Sequence, residues 1–586
     1  MTLPIARVLL LRLLVSLSDS RRPITTYADD HKDHELSGWD KCQGKILCGC
    51  RDAIFAVFLV GYIVFCVIMV GKYGGEEIDA GISAKAVKKD AMHAMKAIRP
   101  LFGPIAAFVG VGYALSIVWL LLCLCCGKCL IQMFFFLAAG TNGVFAVMVT
   151  MWMKHHHDSA AKGTPEWEAT KHFYIPGIVF GAFTVFILLY YCLCRKRIAF
   201  AGATLSVGCE AVLTEWGVLV ASTIMVVVKM LWTFLWVSAM CSISVAYDHH
   251  EWGTKGADSE MGKATAVKFG WAVVMMAIGF LWVIVCIREI VIIVTANAVG
   301  HWWGHGWGEK EGRRNAVRDD DMCNRFTVTL CALARATTCN LGSVALSSFT
   351  VAIVEAARDA FHVLKRVEEA EGGAGETPEQ HCAKKAAFCL GDCIFACLDQ
   401  CVKFLNKWAI VIVGIEDGRI GFCGGARRAI SLFQTRGLMA IVNENLVHNV
   451  LHLGAMVVGV CVGLAGVLAV EPFGLHLGGK HPDRGAQLWS PSPDALLLLP
   501  GAQTDPSNYD LRIIMGLSGA FIGYACALVV FAPVGAAVTS VFYLFVKDPG
   551  ALTDGRCKCS SGHAAHELES AWDTYTGGRY RIPIEA

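Results

Sequence analysis

The feature that most limits what this chain can fold into is a recurrence of apolar stretches near 53–71, 104–126, 130–152, 173–194, 216–246, 269–303, 336–354, 402–416, 446–470 and 511–545. A window about 19 residues wide brings them out, and the clear ones cover a hydrocarbon core about 30 Å thick at about 1.5 Å per residue. With 55% hydrophobic and 17% charged residues among 586, the chain has too little polar surface to enclose that much apolar area in soluble domains. The expectation is an all-α, polytopic integral membrane protein of about ten transmembrane helices. Residues 1–50 read as a cytosolic lead, 51–548 as the membrane domain and 549–586 as a cytosolic tail. The lipid bilayer is therefore the first partner.

A net charge of +2 says nothing by itself about partners, and with no large basic surface no nucleic acid is expected. The placement of the charges says more than their sum. Arg51 precedes the first stretch, Lys128 sits in the turn after the second, Arg195, Lys196 and Arg197 follow the fourth, and Arg313, Arg314, Arg318 and Arg325 follow the sixth. Positive residues mark the cytosolic side, which puts the amino terminus inside. Cysteine gives an independent indication, because the loops assigned outside (72–103, 153–172, 247–265 and 472–510) contain none. Cys48, Cys50, Cys123, Cys125, Cys126, Cys129, Cys192, Cys194, Cys557 and Cys559 gather instead at expected cytosolic ends. No disulfide framework is implied, and these thiols are candidates for S-palmitoylation or simply small apolar residues tolerated in helices.

Residues 1–18 look like a signal peptide, but Arg12 interrupts the apolar core and cleavage would leave the new terminus on the wrong side. The run Lys154–Asp158 reads as a solvated exterior loop rather than a metal site, since its three adjacent histidines point in different directions. Residues 198–215 lean amphipathic and are expected to lie along the cytosolic interface. The stretch 269–303 would be about 50 Å long as one helix, so it must tilt, project from the bilayer or break near Arg288 and Glu289. The run 402–416 is short enough to suggest a re-entrant piece, yet parity asks for a crossing that a helix from about 388 to 416 supplies. Cys389, Cys393, Cys397 and Cys401 stand four apart on one face of that helix, a stripe suited to packing or lipidation rather than zinc.

No HExxH, GxxxxGK[ST] or G-x-S-x-G pattern is present, so neither an enzyme nor a bound cofactor or metal is expected. Ionisable residues within apolar spans are costly and are the natural functional candidates. They are Lys229, Arg288, Glu289, Glu355, Arg358 and Asp359, of which the last three are spaced to neutralise one another on one helix face.

Between Cys389 and Gly454 the four-cysteine stripe is followed by Phe404-Leu405-Asn406, a short apolar run, a basic amphipathic stretch containing Arg427 and Arg428, Glu444, and Leu453-Gly454 opening a further span. This order resembles that of the choline transporter-like solute carriers. Residues 342–354 and 532–548 are similar to two further spans of that family, and 281–303, ending Gly300-His301-Trp302-Trp303, resembles its fungal branch. The resemblance implies that 51–548 is a transporter domain, in the plasma membrane or an organelle membrane, moving choline or a related small-molecule amine. A lipid-handling or structural role is the alternative.

A quaternary ammonium cannot donate a hydrogen bond, so its recognition would rest on aromatic faces with a carboxylate nearby. Tyr113, Trp119, Trp232, Trp236, Trp271 and Trp282 stand at membrane depths. Trp232 and Trp236 share a helix face, as do Trp282 and Glu289. The candidate substrate-binding residues are accordingly Trp282, Glu289, Trp232, Trp236, Tyr113 and Glu355. Four positions depart from the family pattern: Thr539 and Ser540 replace Asp and Thr, Asn297 replaces a small residue, and Lys229 adds a cation for which Glu289 is the expected partner.

Overall fold

The computed structural model describes residues 52–73, 102–159, 174–247, 260–304, 322–371, 378–416, 420–469 and 506–547, with Leu568 and Ser570. Every regular element among them is a helix: α1 Ala53–Tyr73, α2 Phe102–Ser159, α3 Tyr174–Thr214, α4 Gly217–Tyr247, α5 Glu260–Trp302, α6 Met322–Thr337, α7 Leu341–Glu371, α8 Pro378–Ile415, α9 Phe422–Ala469 and α10 Pro506–Lys547. The physical reason is that lipid offers the backbone no hydrogen-bond partner, and a helix satisfies its own. The all-α, polytopic expectation therefore holds, and nine stretches among the described residues are long and apolar enough to cross a membrane.

The partition differs in two places from that expected. The stretches 104–126 and 130–152 are two helical segments of α2 that meet at Cys126, whose backbone leaves helical geometry at φ −133° and ψ 29°. Together they span about 87 Å, enough for two crossings, and the break lies beside the expected turn at Lys128. The histidines of Lys154–Asp158 belong to the last turns of this helix rather than to a loop. Residues 198–214 are the continuation of α3, and most of their side chains are buried, so they do not lie along an interface with a free polar face. Two open alternatives are decided: α5 runs unbroken past Arg288 and Glu289, and the run 402–416 ends the long helix α8, in line with the helix expected from about 388 to 416.

The segment 1–18, Arg51, Cys48, Cys50, Cys557, Cys559, Arg313, Arg314, Arg318, most of the four exterior loops and nearly all of the tail lie outside the described residues. The chain divides into two units. One holds Met1–Pro104, Val212–Leu438 and Tyr543–Ala551, and the other holds Ile105–Ala211, Met439–Phe542 and Leu552–Ala586.

In the first unit α5 is the central helix, packed on α4, α6, α7 and α8, while α1 lies against α4 and α7. Gly414 explains how α8 comes so near α5. A Cβ there would meet the Ile293 carbonyl and the Ala296 Cβ, each at 2.9 Å. The same approach lets Asn297 donate its Nδ2 hydrogen to the Gly414 carbonyl at 3.1 Å. Charged caps close the unit: the Asp52 carboxylate accepts from Ser343 Oγ at 2.8 Å and from the Phe422 backbone at 3.1 Å, at the starts of α7 and α9. Glu416, just past α8, pairs with Arg428 at 2.9 Å and with Lys547 of α10.

The second unit is built on small residues. Gly459 and Gly463 of α9 face Gly516, Gly519, Ala520 and Gly523 of α10 so closely that a Cβ on Gly463 would stand 2.9 Å from the Ala520 Cβ and the Gly516 carbonyl. Without a hydrophobic drive between helices in lipid, such close van der Waals approach is what holds them. Buried hydroxyls join it: Thr204 Oγ1 donates to Asn443 Oδ1 at 2.9 Å, and Ser206 Oγ to the Cys123 carbonyl at 3.2 Å.

Candidate functional site

The most unusual group in the first unit is Glu289, a carboxylate whose side chain is 1% exposed in the interior-facing part of α5. Its Oε1 accepts from Asn406 Nδ2 of α8 at 3.2 Å and lies 3.3 Å from Arg288 Nη2. Asn406 Oδ1 in turn accepts from Ser347 Oγ of α7 at 2.9 Å, so three helices meet at one polar chain. The second carboxylate oxygen, Oε2, is buried with no hydrogen-bond partner among the described residues. A buried polar atom left in that state costs free energy, and a carboxylate oxygen is the cheapest to satisfy with a cation. Local sequence produces the arrangement: Ser347 lies in the small-residue run Gly342–Ser348, and Asn406 closes Phe404-Leu405-Asn406.

Two turns before Glu289, Trp282 packs on Phe349 of α7 with ring centres 5.0 Å apart, and its Nε1 hydrogen goes to the Ala345 carbonyl at 2.9 Å. Trp282 thus faces α7, and Glu289 faces α8. Trp232 and Trp236 also converge, but on a different seam. Trp232 meets Tyr62 of α1 edge-on at 5.9 Å. Trp236 lies 4.6 Å from Phe280, and both Trp236 Nε1 and Tyr62 Oη donate to the Met276 carbonyl, at 3.0 and 3.1 Å. The Tyr62 ring fits because position 279 is glycine, where a Cβ would collide with it. Trp271 is 66% exposed and contributes to neither group. Tyr113 is half-buried on α2, in the second unit.

Glu355, Arg358 and Asp359 do not neutralise one another as their spacing suggests. Glu355 pairs with Lys403 of α8 at 2.7 Å, Arg358 pairs with Asp399 of α8 at 3.0 Å, and Asp359 is exposed. Helix packing wins over the local i, i+3 and i, i+4 options because α8 lies alongside α7 and offers buried partners. The expected Lys229–Glu289 pair is also absent: Lys229 is exposed on α4, and the ion pair of Glu289 is with Arg288. The cysteine stripe grades along α8, with Cys389 and Cys393 exposed, Cys397 half-buried and Cys401 buried. At the two departures in α10, the hydroxyls of Thr539 and Ser540 turn back to the carbonyls of Gly535 and Ala536, each at 2.9 Å.

Ser347, Asn406, Asp399, Lys403 and Tyr62 were not among the candidates drawn from the sequence. Asn406 was visible as a landmark, and Ser347 as part of a small-residue span. Neither reads as a site residue until α5, α7 and α8 are assembled.

Helices long enough to cross a bilayer, with buried polar chains joining several of them, define a multi-pass α-helical membrane protein. The family model described as plasma-membrane choline transporter matches residues 178–550, and so takes in every candidate except Tyr113. The chain belongs to the choline transporter-like family, which is a family of transporters. It is 25% identical over 302 residues to protein PNS1 of Debaryomyces hansenii, covering 52% of this chain and 54% of that protein. It is 23% identical over 421 residues to protein PNS1 of Mycosarcoma maydis, covering 71% and 68%. A CTL-like protein of Dictyostelium discoideum is 22% identical over 304 residues, covering 52% and 47%. The chain thus spans about half the length of two of these relatives and about two thirds of the third, in a fungal and protist branch.

Proposed function

We propose that this protein carries choline or a related small organic amine across a membrane, the plasma membrane first, with Glu289 as the carboxylate that meets the cation. The observation that carries this reading is the buried Oε2 atom of Glu289, which has no hydrogen-bond partner among the described residues in a family of transporters. Asn406 and Ser347 fix the carboxylate from its other oxygen. That leaves Oε2 for a charge that brings no hydrogen to donate, as a quaternary ammonium does. Trp282, two turns away on the same helix, supplies a large aromatic ring, and an aromatic face attracts a cation by about 0.5–2 kcal/mol.

The test is uptake of labelled choline by liposomes containing the purified protein. Wild type is expected to load the vesicles, Glu289→Gln to lose uptake while keeping its melting temperature, and Glu289→Asp to retain part of it. Full uptake by a folded Glu289→Gln protein would overturn the assignment of Glu289, and no uptake by wild type of choline or of other small amines would overturn the substrate class.

A further inference from the structure

We propose that Glu355 and Asp399 form a second station for an organic cation, and that the Lys403 ammonium occupies it whenever no ligand does. The proposal rests on the reading of Glu289 as the cation-binding carboxylate and adds the next site on the route. Lys403 Nζ lies 2.7 Å from Glu355 Oε1 and 2.9 Å from Asp399 Oδ1, so one ammonium is shared by two carboxylates from two helices. Asp399 has a second anchor, because Arg358 Nη1 holds its Oδ2 at 3.0 Å, an oxygen that Lys403 Nζ also reaches at 3.0 Å. The Asp399 side chain is 3% exposed and that of Lys403 is 31% exposed, so the carboxylate is enclosed while the lysine is only partly covered.

The choice of side chains fits a displaceable cation. Lysine carries a compact charge on a flexible stem, whereas the planar guanidinium of Arg358 grips a carboxylate in a set geometry. A ligand ammonium replacing Lys403 leaves the charge balance unchanged, with two carboxylates against Arg358 and one ammonium. Position supports it too. Glu355 follows Ser347 by two turns on α7, about 12 Å along the axis, and Lys403 precedes Asn406 by one turn on α8. Both therefore lie along the seam that holds the Glu289 network, and transfer between successive sites lets a cation enter one and leave the next.

The experiment measures tetramethylammonium binding by calorimetry to the full chain in nanodiscs, in a Glu289→Gln background that removes the first site. Adding Lys403→Met is expected to tighten binding about tenfold, since removing an internal occupant restores the competent fraction of the site. Adding Glu355→Gln as well should return binding to the starting level. A folded Lys403→Met protein with unchanged binding, or a gain that survives Glu355→Gln, would overturn the proposal. Should Lys403→Met not fold, Lys403→Arg decides. Its firmer grip should slow choline uptake by wild-type background liposomes at unchanged melting temperature, and unaltered uptake would refute the displaceable lysine. Failure of the Glu289 reading shows elsewhere, as full uptake by Glu289→Gln alone.

Discussion

Asn406 and Glu289, 117 residues apart, meet at 3.2 Å in the first unit, with the asparagine nitrogen donating to a carboxylate oxygen and its own oxygen held by Ser347. The bond joins α5 to α8 at one of the most fully enclosed acids among the described residues, so its loss should register in both stability and transport.

Asn406→Ala removes the donor to Glu289 and the acceptor for Ser347 at once. The folded protein should lose about 1–3 kcal/mol, the cost of stranding buried polar groups, and choline uptake should fall with it. Asn406→Asp should be worse, because it sets a second carboxylate against the first. Thermal melting in detergent alongside liposome uptake checks both, and an Asn406→Asp protein as stable as wild type would contradict the arrangement.

Trp282 holds two separate interactions that two substitutions can separate. Trp282→Phe keeps a ring against Phe349 but gives up the Nε1 hydrogen bond to the Ala345 carbonyl, which Ser348 Oγ also reaches at 3.1 Å, for an expected loss of about 1 kcal/mol. Trp282→Ala also opens a cavity, and about 3–5 kcal/mol is typical for truncating a buried aromatic. If the indole face also meets the cation, choline affinity should drop further for Ala than for Phe at matched protein stability. Equal affinities for the two variants would leave the residue with packing alone.

At Gly414 any side chain runs into α5 backbone, since the nearest atom to an added Cβ is the Ile293 carbonyl at 2.9 Å. Gly414→Ala should therefore cost about 1–3 kcal/mol by overpacking, and Gly414→Val more. The Asn297→Ala change should recover little of this, because the clash is with the backbone rather than with the amide. Melting temperatures of the three variants and the double variant decide it.

Lys229 and Glu289 should behave independently. Lys229 is exposed and Glu289 pairs with Arg288, so Lys229→Met and Glu289→Gln should add to within about 0.5 kcal/mol. A double-mutant cycle on melting or uptake measures the coupling. A clearly larger interaction energy would mean that the two side chains meet in another state of the protein.

Much of the architecture is legible in the residues themselves. Long apolar stretches predict crossing helices because lipid leaves the backbone no other solution, and that logic needs no tertiary information. It recovers α1, α4 and α10 within about five residues at each end, and the break at Cys126 falls at the expected junction, whereas α5, α7 and α9 run well beyond their apolar stretches. Those extensions, the continuation of α3 through residue 214 and the start of α8 before residue 388 escape it, because hydropathy reports how apolar a segment is and not whether neighbouring segments stay helical across a polar junction.

What the sequence by itself determined is the class of protein, the family and the identity of the costly residues, since a buried charge in an apolar run stands out wherever the chain folds. Only the tertiary structure decided which charges meet. Glu289 turned from Lys229 to Arg288 and Asn406, and Glu355 turned from Arg358 to Lys403. The cause is geometric: within its own helix a charge reaches only near neighbours, as Glu289 reaches Arg288, whereas packed helices bring residues tens to more than a hundred positions apart into hydrogen-bond range. Partners of that kind follow from which helix faces which, and no one-dimensional spacing encodes it.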